Sequence, residues 1–227
     1  MLYSKLFPWQ KDKKKSTIYK NEKNEKLIQE LKFEGITDSK ILSAIRMVPR
    51  ELFTEKLDEA YENKALSVEC NQTLTQPFCT AFMISCLDLR PTNNVLEIGT
   101  GVGWTTAVIS KLVKTVFTME RFKKLLDSAK KNIAKLKIEN VQFKLGNGFE
   151  GWEDKILFDA IIIGAASEVV PIKLLESLKS NGRLVMPKKY DTGNQKLLLV
   201  TKKSGNFEQK ELLDVKFVPL LNEAIVK

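Results

Sequence analysis

From Pro91 onward the chain alternates short apolar runs with amphipathic stretches, and this rhythm constrains its fold most. "NVLEIG" reads as a buried strand and "WTTAVISKLV" as a helix; "KTVFTME" is again a strand. "FKKLLDSAKKNIAKLK" places Phe122, Leu125, Leu126, Ala129, Ile133 and Leu136 on one helical face. "NVQFKLG" and "FDAIIIG" are strands, the second apolar enough for a sheet centre. "PIKLLESLKSNG" predicts a helix, with Pro171 near its start and Gly182 past its end. "RLVMP", "KLLLVTK" and "VKFVPLL" read as strands. No helix separates the last two, so they are expected to pair antiparallel. The pattern predicts an α/β fold, a doubly wound sheet with an antiparallel C-terminal strand.

Before Pro91 the chain is rich in helix. "EKLIQELKFEGI" carries Leu27, Ile28 and Leu31 at helical spacing and stops at Gly35. In "TDSKILSAIRMVP", Asp38 caps a second helix, Ile41, Leu42 and Ile45 face inward, and Pro49 ends it. Residues 50–76 are less regular, and a third helix is expected from Pro77 to about Asp88. The expected organisation is an arm over 1–24 and a single domain over 25–227. That domain divides into a helical lead-in (25–90) and an α/β core (91–227).

The formal net charge is +9, yet residues 1–26 hold eight lysines against Asp12, Glu22 and Glu25. More than half of the excess therefore lies in the arm, which reads as a solvated tail; a nucleic-acid arm is the minority reading. The chain has no histidine. This excludes His-based hydrolase triads and HExxH metalloproteases. Cys70, Cys79 and Cys86 are odd in number and lack C-x-x-C spacing, so neither a disulfide framework nor a metal site is expected. Cys79 and Cys86 share a helical face with Phe82 and Met83 and read as core. No run approaches the roughly 18 apolar residues of a membrane span, and "MLYSKLFPWQKDKKK" is not a secretory signal. A cytoplasmic protein is expected.

The loop Gly99-Thr100-Gly101-Val102-Gly103 follows the first core strand, with Glu97 two residues before it. A dinucleotide fingerprint needs G-x-G-x-x-G, but position 104 is Trp; a P-loop pattern is absent. The ligand is then a nucleoside with little or no phosphate. Glu120 ends the next strand, where a carboxylate can accept ribose hydroxyls. Asn147, in "GNG" with Gly148, can meet an adenine edge. The ordered set describes an S-adenosylmethionine pocket, with Glu97, Gly99, Thr100, Gly101, Gly103, Glu120, Arg121, Asn147 and Gly148 as cofactor residues. The plainer alternatives are a tight turn at Gly99 and Gly101 and a surface charge at Glu120.

"VLEIGTGVGW", "FTMER", "LGNGFEGW", "FDAIIIGAA" and "GRLVMP", in this order, resemble the protein-L-isoaspartate O-methyltransferase family. "ILSAIRMVPRELF", "AYENKALSV", "NQTLTQP" and "FVPL" extend the resemblance over residues 25 to 222. It implies a Rossmann-like methyltransferase that esterifies the free α-carboxylate of isoaspartyl residues in damaged proteins. It also implies that Thr73, Leu74, Thr75, Gln76 and Pro77 form the substrate loop. Thr75 would be the catalytic hydroxyl, standing where the family usually has serine, and the backbone at Val218 would meet the isoaspartyl group. A carboxylate with a pKa of about 4 is its own nucleophile, so the missing histidine is no obstacle. Asn63, Asn71, Val102, Trp104, Asn147 and Lys188 also depart from the family's usual residues, which marks a diverged member. The expected partners are proteins or peptides carrying isoaspartyl residues, met by a monomer. The competing readings are a carboxyl methyltransferase for a dedicated peptide or small acid, a nucleic-acid methyltransferase, and a binding protein without activity. The second of these lacks its usual [DN]-P-P-[FY], since that position reads "GAAS".

Overall fold

The computed structural model describes residues 22–152 and 155–222. Helix α1 (Glu22–Phe33) begins inside the segment assigned to the arm. It starts there because Asn24 is buried, donating to the Arg46 carbonyl at 3.0 Å, while Glu25 pairs with Arg46. These contacts tie α1 to helix α2 (Ser39–Met47), which Asp38 caps as expected by accepting from the Lys40 N–H. The rest of the arm lies outside the described residues. A two-stranded hairpin follows, β1 (Leu66–Ser67) with β2 (Thr73–Leu74). Helix α3 (Pro77–Cys86) has Pro77 in its first turn, where a missing N–H removes no bond. On it Met83 is buried and Cys79 and Cys86 half-buried.

The sheet contains β3 (Asn94–Ile98), β4 (Thr115–Glu120), β5 (Val141–Leu145), β6 (Phe158–Ile163), β7 (Leu178–Lys189), β8 (Gln195–Lys203) and β9 (Asn206–Asp214). Their order is β5-β4-β3-β6-β7-β8-β9. The first five are parallel, whereas β8 and β9 run antiparallel to their neighbours. The doubly wound sheet with an antiparallel edge is therefore present. Order reverses between β3 and β6, the switch point where open α/β sheets bind ligands beyond their strand ends.

Helix α4 (Trp104–Ser110) and helix α5 (Lys123–Lys135) follow β3 and β4. Alternate strand residues feed two cores. Val95, Val116, Ala160 and Ile162 pack with α4 and the lead-in helices. Leu96, Phe117, Ile161 and Leu184 form the opposite core with Phe158 and Leu174.

Two expectations are corrected. "PIKLLESLKSNG" is not one helix: α6 covers only Ile172–Glu176, and Leu178 already pairs with Phe158. The register then jumps to Ala160 opposite Arg183, so residues 179–182 form a bulge. Lys179 anchors it on Asp159, and the tight turn brings the Lys179 carbonyl to within 2.8 Å of where a Cβ on Gly182 would sit. "VKFVPLL" is not a ladder strand either. The partner of β8 is β9, "NFEQKELLD", a charged edge strand. Residues 215–221 instead run as an extended segment over the end of β6. There the Ala166 N–H donates to the Val218 carbonyl, and the Leu220 N–H to the Ala166 carbonyl, each at 2.7 Å.

Candidate active site

The glycine loop sits where β3 ends. The Gly99 and Thr100 N–H groups both donate to the Met119 carbonyl, at 2.8 and 3.2 Å, which folds the loop onto β4. Gly103 precedes α4 with φ +97°, and an added Cβ would lie 3.1 Å from that of Ala129 on α5. Only glycine serves there. Gly101, at φ +55°, faces open space, and its N–H donates to Glu120 at 2.8 Å. The cleft this loop borders is also lined by Glu120, Arg121, Phe122, Gly148, Val218 and Leu220.

Glu120 is buried at the end of β4. One carboxylate oxygen accepts the Gly101 N–H, and the other accepts those of Arg121 and Phe122 at 2.8 and 3.0 Å. Burial raises its pKa although all three bonds favour the ionised form. A carboxylate accepts about four hydrogen bonds, so one acceptor position is left, on the oxygen facing Gly101. From the sequence Glu120 is expected to accept two hydroxyls; with three backbone donors already bound, it has one position open.

Glu97 is not among the residues that line the cleft; it borders the small cavity beside it. Its side chain lies on the core side of the loop, where one oxygen accepts from Thr106 at 2.5 Å and from Thr118 at 2.6 Å. Thr118 gives its proton to Glu97, so Thr100, 2.6 Å away, must donate to Thr118. A chain of hydroxyls thus fixes the glycine loop to a buried carboxylate. Burial pushes the Glu97 pKa up to about 7, against the two hydroxyl bonds and helped by the negative Glu120.

Asn147 is also displaced from its expected role. Its carbonyl oxygen caps the Phe149 N–H at 3.0 Å and its amide donates to Asn222 at 2.8 Å. The carboxamide is engaged along the chain, and it is Gly146 and Gly148 on either side that reach the cleft.

The loop assigned to substrate divides. Thr73, Leu74 and Thr75 line the cleft opposite Glu120. Gln76 instead donates to the Asn63 carbonyl at 2.9 Å and precedes α3, and Pro77 is buried in its first turn. Both hold the loop. Asn63 supports them: its side-chain oxygen accepts the Phe78 N–H, and its amide donates to Glu34, each at 2.9 Å. Thr75 also borders a second, outer groove with Gln76, Asp214, Lys216 and Phe217.

Arg50 is a residue that sequence reasoning missed. It is fully buried, donates to the Thr75 carbonyl at 2.9 Å, and lies 4.7 Å from the centre of the Trp104 ring. Burial depresses its pKa to about 9. It therefore joins the Thr75 loop to the start of α4. Arg50 lies within "ILSAIRMVPRELF", but a single arginine in sequence carries no sign of burial.

The cleft fits a nucleoside-sulfonium cofactor. It presents a carboxylate with one open acceptor position and a backbone free of side chain at Gly101. The hydroxyl of Thr80, buried without a hydrogen-bond partner, borders a small cavity that shares Thr75, Gly99 and Thr105 with the cleft. An orphaned buried hydroxyl beside a cleft is what a polar ligand end satisfies.

Comparison with known proteins agrees. The family model described as protein-L-isoaspartate(D-aspartate) O-methyltransferase matches residues 21–224. A protein-L-isoaspartate O-methyltransferase of Dictyoglomus turgidum is 46% identical over 206 residues, covering 88% of this chain and 92% of that one. One from Aliivibrio fischeri is 45% identical over 203 residues, covering 88% and 97%. A solved protein-L-isoaspartate O-methyltransferase superposes with a TM-score of 0.81 at 30% identity, covering 89% of this chain and 67% of that one. A Plasmodium falciparum structure titled as a putative member, in complex with S-adenosyl-L-homocysteine, gives 0.78 at 27%, covering 87% and 98%. The chain belongs to the protein-L-isoaspartate O-methyltransferase family.

Proposed function

We propose that this protein transfers the methyl group of S-adenosylmethionine to the free α-carboxylate of L-isoaspartyl residues in damaged proteins. The observation that carries the reading is the shared cleft: Thr75 and Val218 face the same space as Gly101 and Glu120. Cofactor and acceptor residues thus meet at one point, and Thr75 also opens onto the outer groove, which suits an extended peptide.

When bound, the cofactor supplies an electrophilic methyl group on a cationic sulfur. The acceptor carboxylate is already ionised, so no side chain has to remove a proton. The protein's task is alignment of an oxygen with the methyl at about 3 Å. The Thr75 hydroxyl donates to the attacking carboxylate and orients it, while Arg50 fixes the loop by holding the Thr75 carbonyl. Glu120 holds the ribose end, and the Gly101 backbone lets the cofactor lie close. The segment around Val218 covers the mouth and keeps water out, which strengthens attraction between the opposite charges.

No helix among the described residues is long and apolar enough to cross a membrane. The reading places the protein in the cytoplasm as a monomer, with a basic arm before Glu22 and the catalytic domain from α1 onward. Transfer of labelled methyl to a synthetic isoaspartyl peptide tests it. Labelled ester that decays through a succinimide is the expected result, and no transfer under saturating cofactor refutes it.

A further inference from the structure

Glu97 is 2% exposed. Buried carboxylates are normally paired with a cation, because an isolated one is strongly disfavoured. Glu97 has hydroxyl partners only, Thr106 and Thr118, and enters no ion pair among the described residues. No cation pairs with it among the described residues. Strand β4 contributes Glu120, of like sign. Helix α4 has no ionisable residue. Strand β6 contributes Asp159, which bonds the Asn94 N–H at the far end of β3. Helix α3 contributes the thiols of Cys79 and Cys86, held neutral by burial. Arg50, beside Trp104, directs its bonds to the carbonyls of Lys64 and Thr75.

A small cavity beside Glu97 adjoins the cleft. Glu97 borders the small cavity with Thr75, Thr80, Gly99 and Thr105, and three of these also line the cleft. We propose that Glu97 is the buried counter-charge that distinguishes the sulfonium form of the cofactor from the thioether left after transfer. The proposal rests on the S-adenosylmethionine reading above. It assigns Glu97 a positioning and discriminating role beneath the loop.

The chemistry makes such a group useful. In the transfer an acceptor oxygen forms a bond to the methyl carbon, the carbon–sulfur bond breaks, and its electron pair stays on sulfur. No proton moves. The sulfonium and the carboxylate lose their charges together. Before the step, Glu97 faces a cation through a medium of low dielectric, where attraction is strong. Afterwards it faces a neutral thioether, and that part of the binding is gone. Substrate is held and product is released by the same buried charge. The amino-acid end is common to both forms and cancels from the comparison.

Glu97 titrates near neutrality, so its charge can be switched by pH. The test is calorimetric affinity for S-adenosylmethionine and S-adenosylhomocysteine between pH 6 and pH 7.5. The ratio of affinities, sulfonium over thioether, is expected to rise about five- to eightfold across that range as Glu97 ionises. Glu97→Gln should flatten the ratio and weaken the sulfonium ligand selectively, whereas Glu120→Gln should weaken both ligands and leave a rise, moved to lower pH because the Glu120 charge that raises the Glu97 pKa is gone. If Glu97→Gln does not fold, Thr118→Val serves instead: losing one donor should move the rise to higher pH. A flat ratio in the native protein, a rise that survives in Glu97→Gln, or an unmoved midpoint in Thr118→Val would overturn the proposal. If neither ligand binds at any pH, the cofactor reading itself fails; if both bind with a flat ratio, only this proposal does.

Discussion

Glu120, at the end of β4, holds the backbone N–H of Gly101 at 2.8 Å, so that carboxylate and the glycine loop form one unit. Removing the side chain frees the loop and, on the proposed function, deletes a cofactor acceptor. Glu120→Ala is expected to lower affinity for S-adenosylhomocysteine by about 1.5–3 kcal/mol, roughly 10- to 150-fold. Calorimetry checks this, and unchanged affinity would contradict the placement of the ribose.

Thr75 is expected to act on turnover alone. Thr75→Ala should cut kcat for an isoaspartyl peptide by about tenfold or more, the scale of a lost orienting contact. Cofactor affinity should stay within about twofold, since the cofactor contacts proposed above are made by Gly101 and Glu120. Thr75→Ser keeps the hydroxyl and should restore most of the rate. Steady-state kinetics with both variants decides.

Arg50 couples the Thr75 loop to Trp104 from inside the fold. Arg50→Met should lower stability by about 2–4 kcal/mol, because the carbonyls of Lys64 and Thr75 lose a buried donor. Arg50→Lys should not fully rescue it, since an ammonium lacks the planar guanidinium that lies over the Trp104 ring. Urea denaturation of the three proteins provides the comparison.

Gly103→Ala tests the loop geometry. The left-handed φ and the 3.1 Å approach to Ala129 both oppose a methyl group. A loss of about 1–3 kcal/mol is expected, with weakened cofactor binding. A variant as stable as the parent would show that the loop does not need this glycine.

Glu97 also predicts how stability depends on pH. Its folded pKa, about 7, lies above the ordinary carboxylate value of 4.5. The group therefore favours the folded state fully below about pH 4.5, and that contribution is lost as pH rises toward 7. In the absence of cofactor, Glu97→Gln should gain stability over the parent at pH 8 relative to pH 5, by about 1–3 kcal/mol. Denaturation at the two pH values measures it, and a difference of opposite sign would contradict the burial of an ionised Glu97.

The core fold and the outline of the site were legible because they rest on local rules. Apolar runs gave β3, β4 and β6, and the heptad-like face of α5 was plain in "FKKLLDSAKKNIAKLK". What escaped depends on tertiary pairing. β9 is an exposed edge whose apolar residues, Phe207, Leu212 and Leu213, are separated by a polar stretch, so it lacks a strand's apolar alternation. The bulge after α6 arises from Lys179 reaching Asp159, a contact between different elements. Within the site, Gly101 and Glu120 could be placed together because each ends a neighbouring strand. Glu97 and Asn147 could not be oriented: a strand's alternation says that Glu97 faces a core, but not that Thr118 and Thr106 would claim it. Asn147 behaved as a turn residue, capping the backbone two positions on, as Asn commonly does.

The central claim is chemical selectivity for the isoaspartyl linkage. Two peptides of one sequence, one with L-isoaspartate and one with L-aspartate at the same position, test it most directly. The measurement is kcat/KM for methyl transfer from S-adenosylmethionine to each. A strong preference for the isoaspartyl peptide, with the aspartyl twin near background, is predicted. Equal rates on both, or none on either while cofactor binds normally, would contradict it.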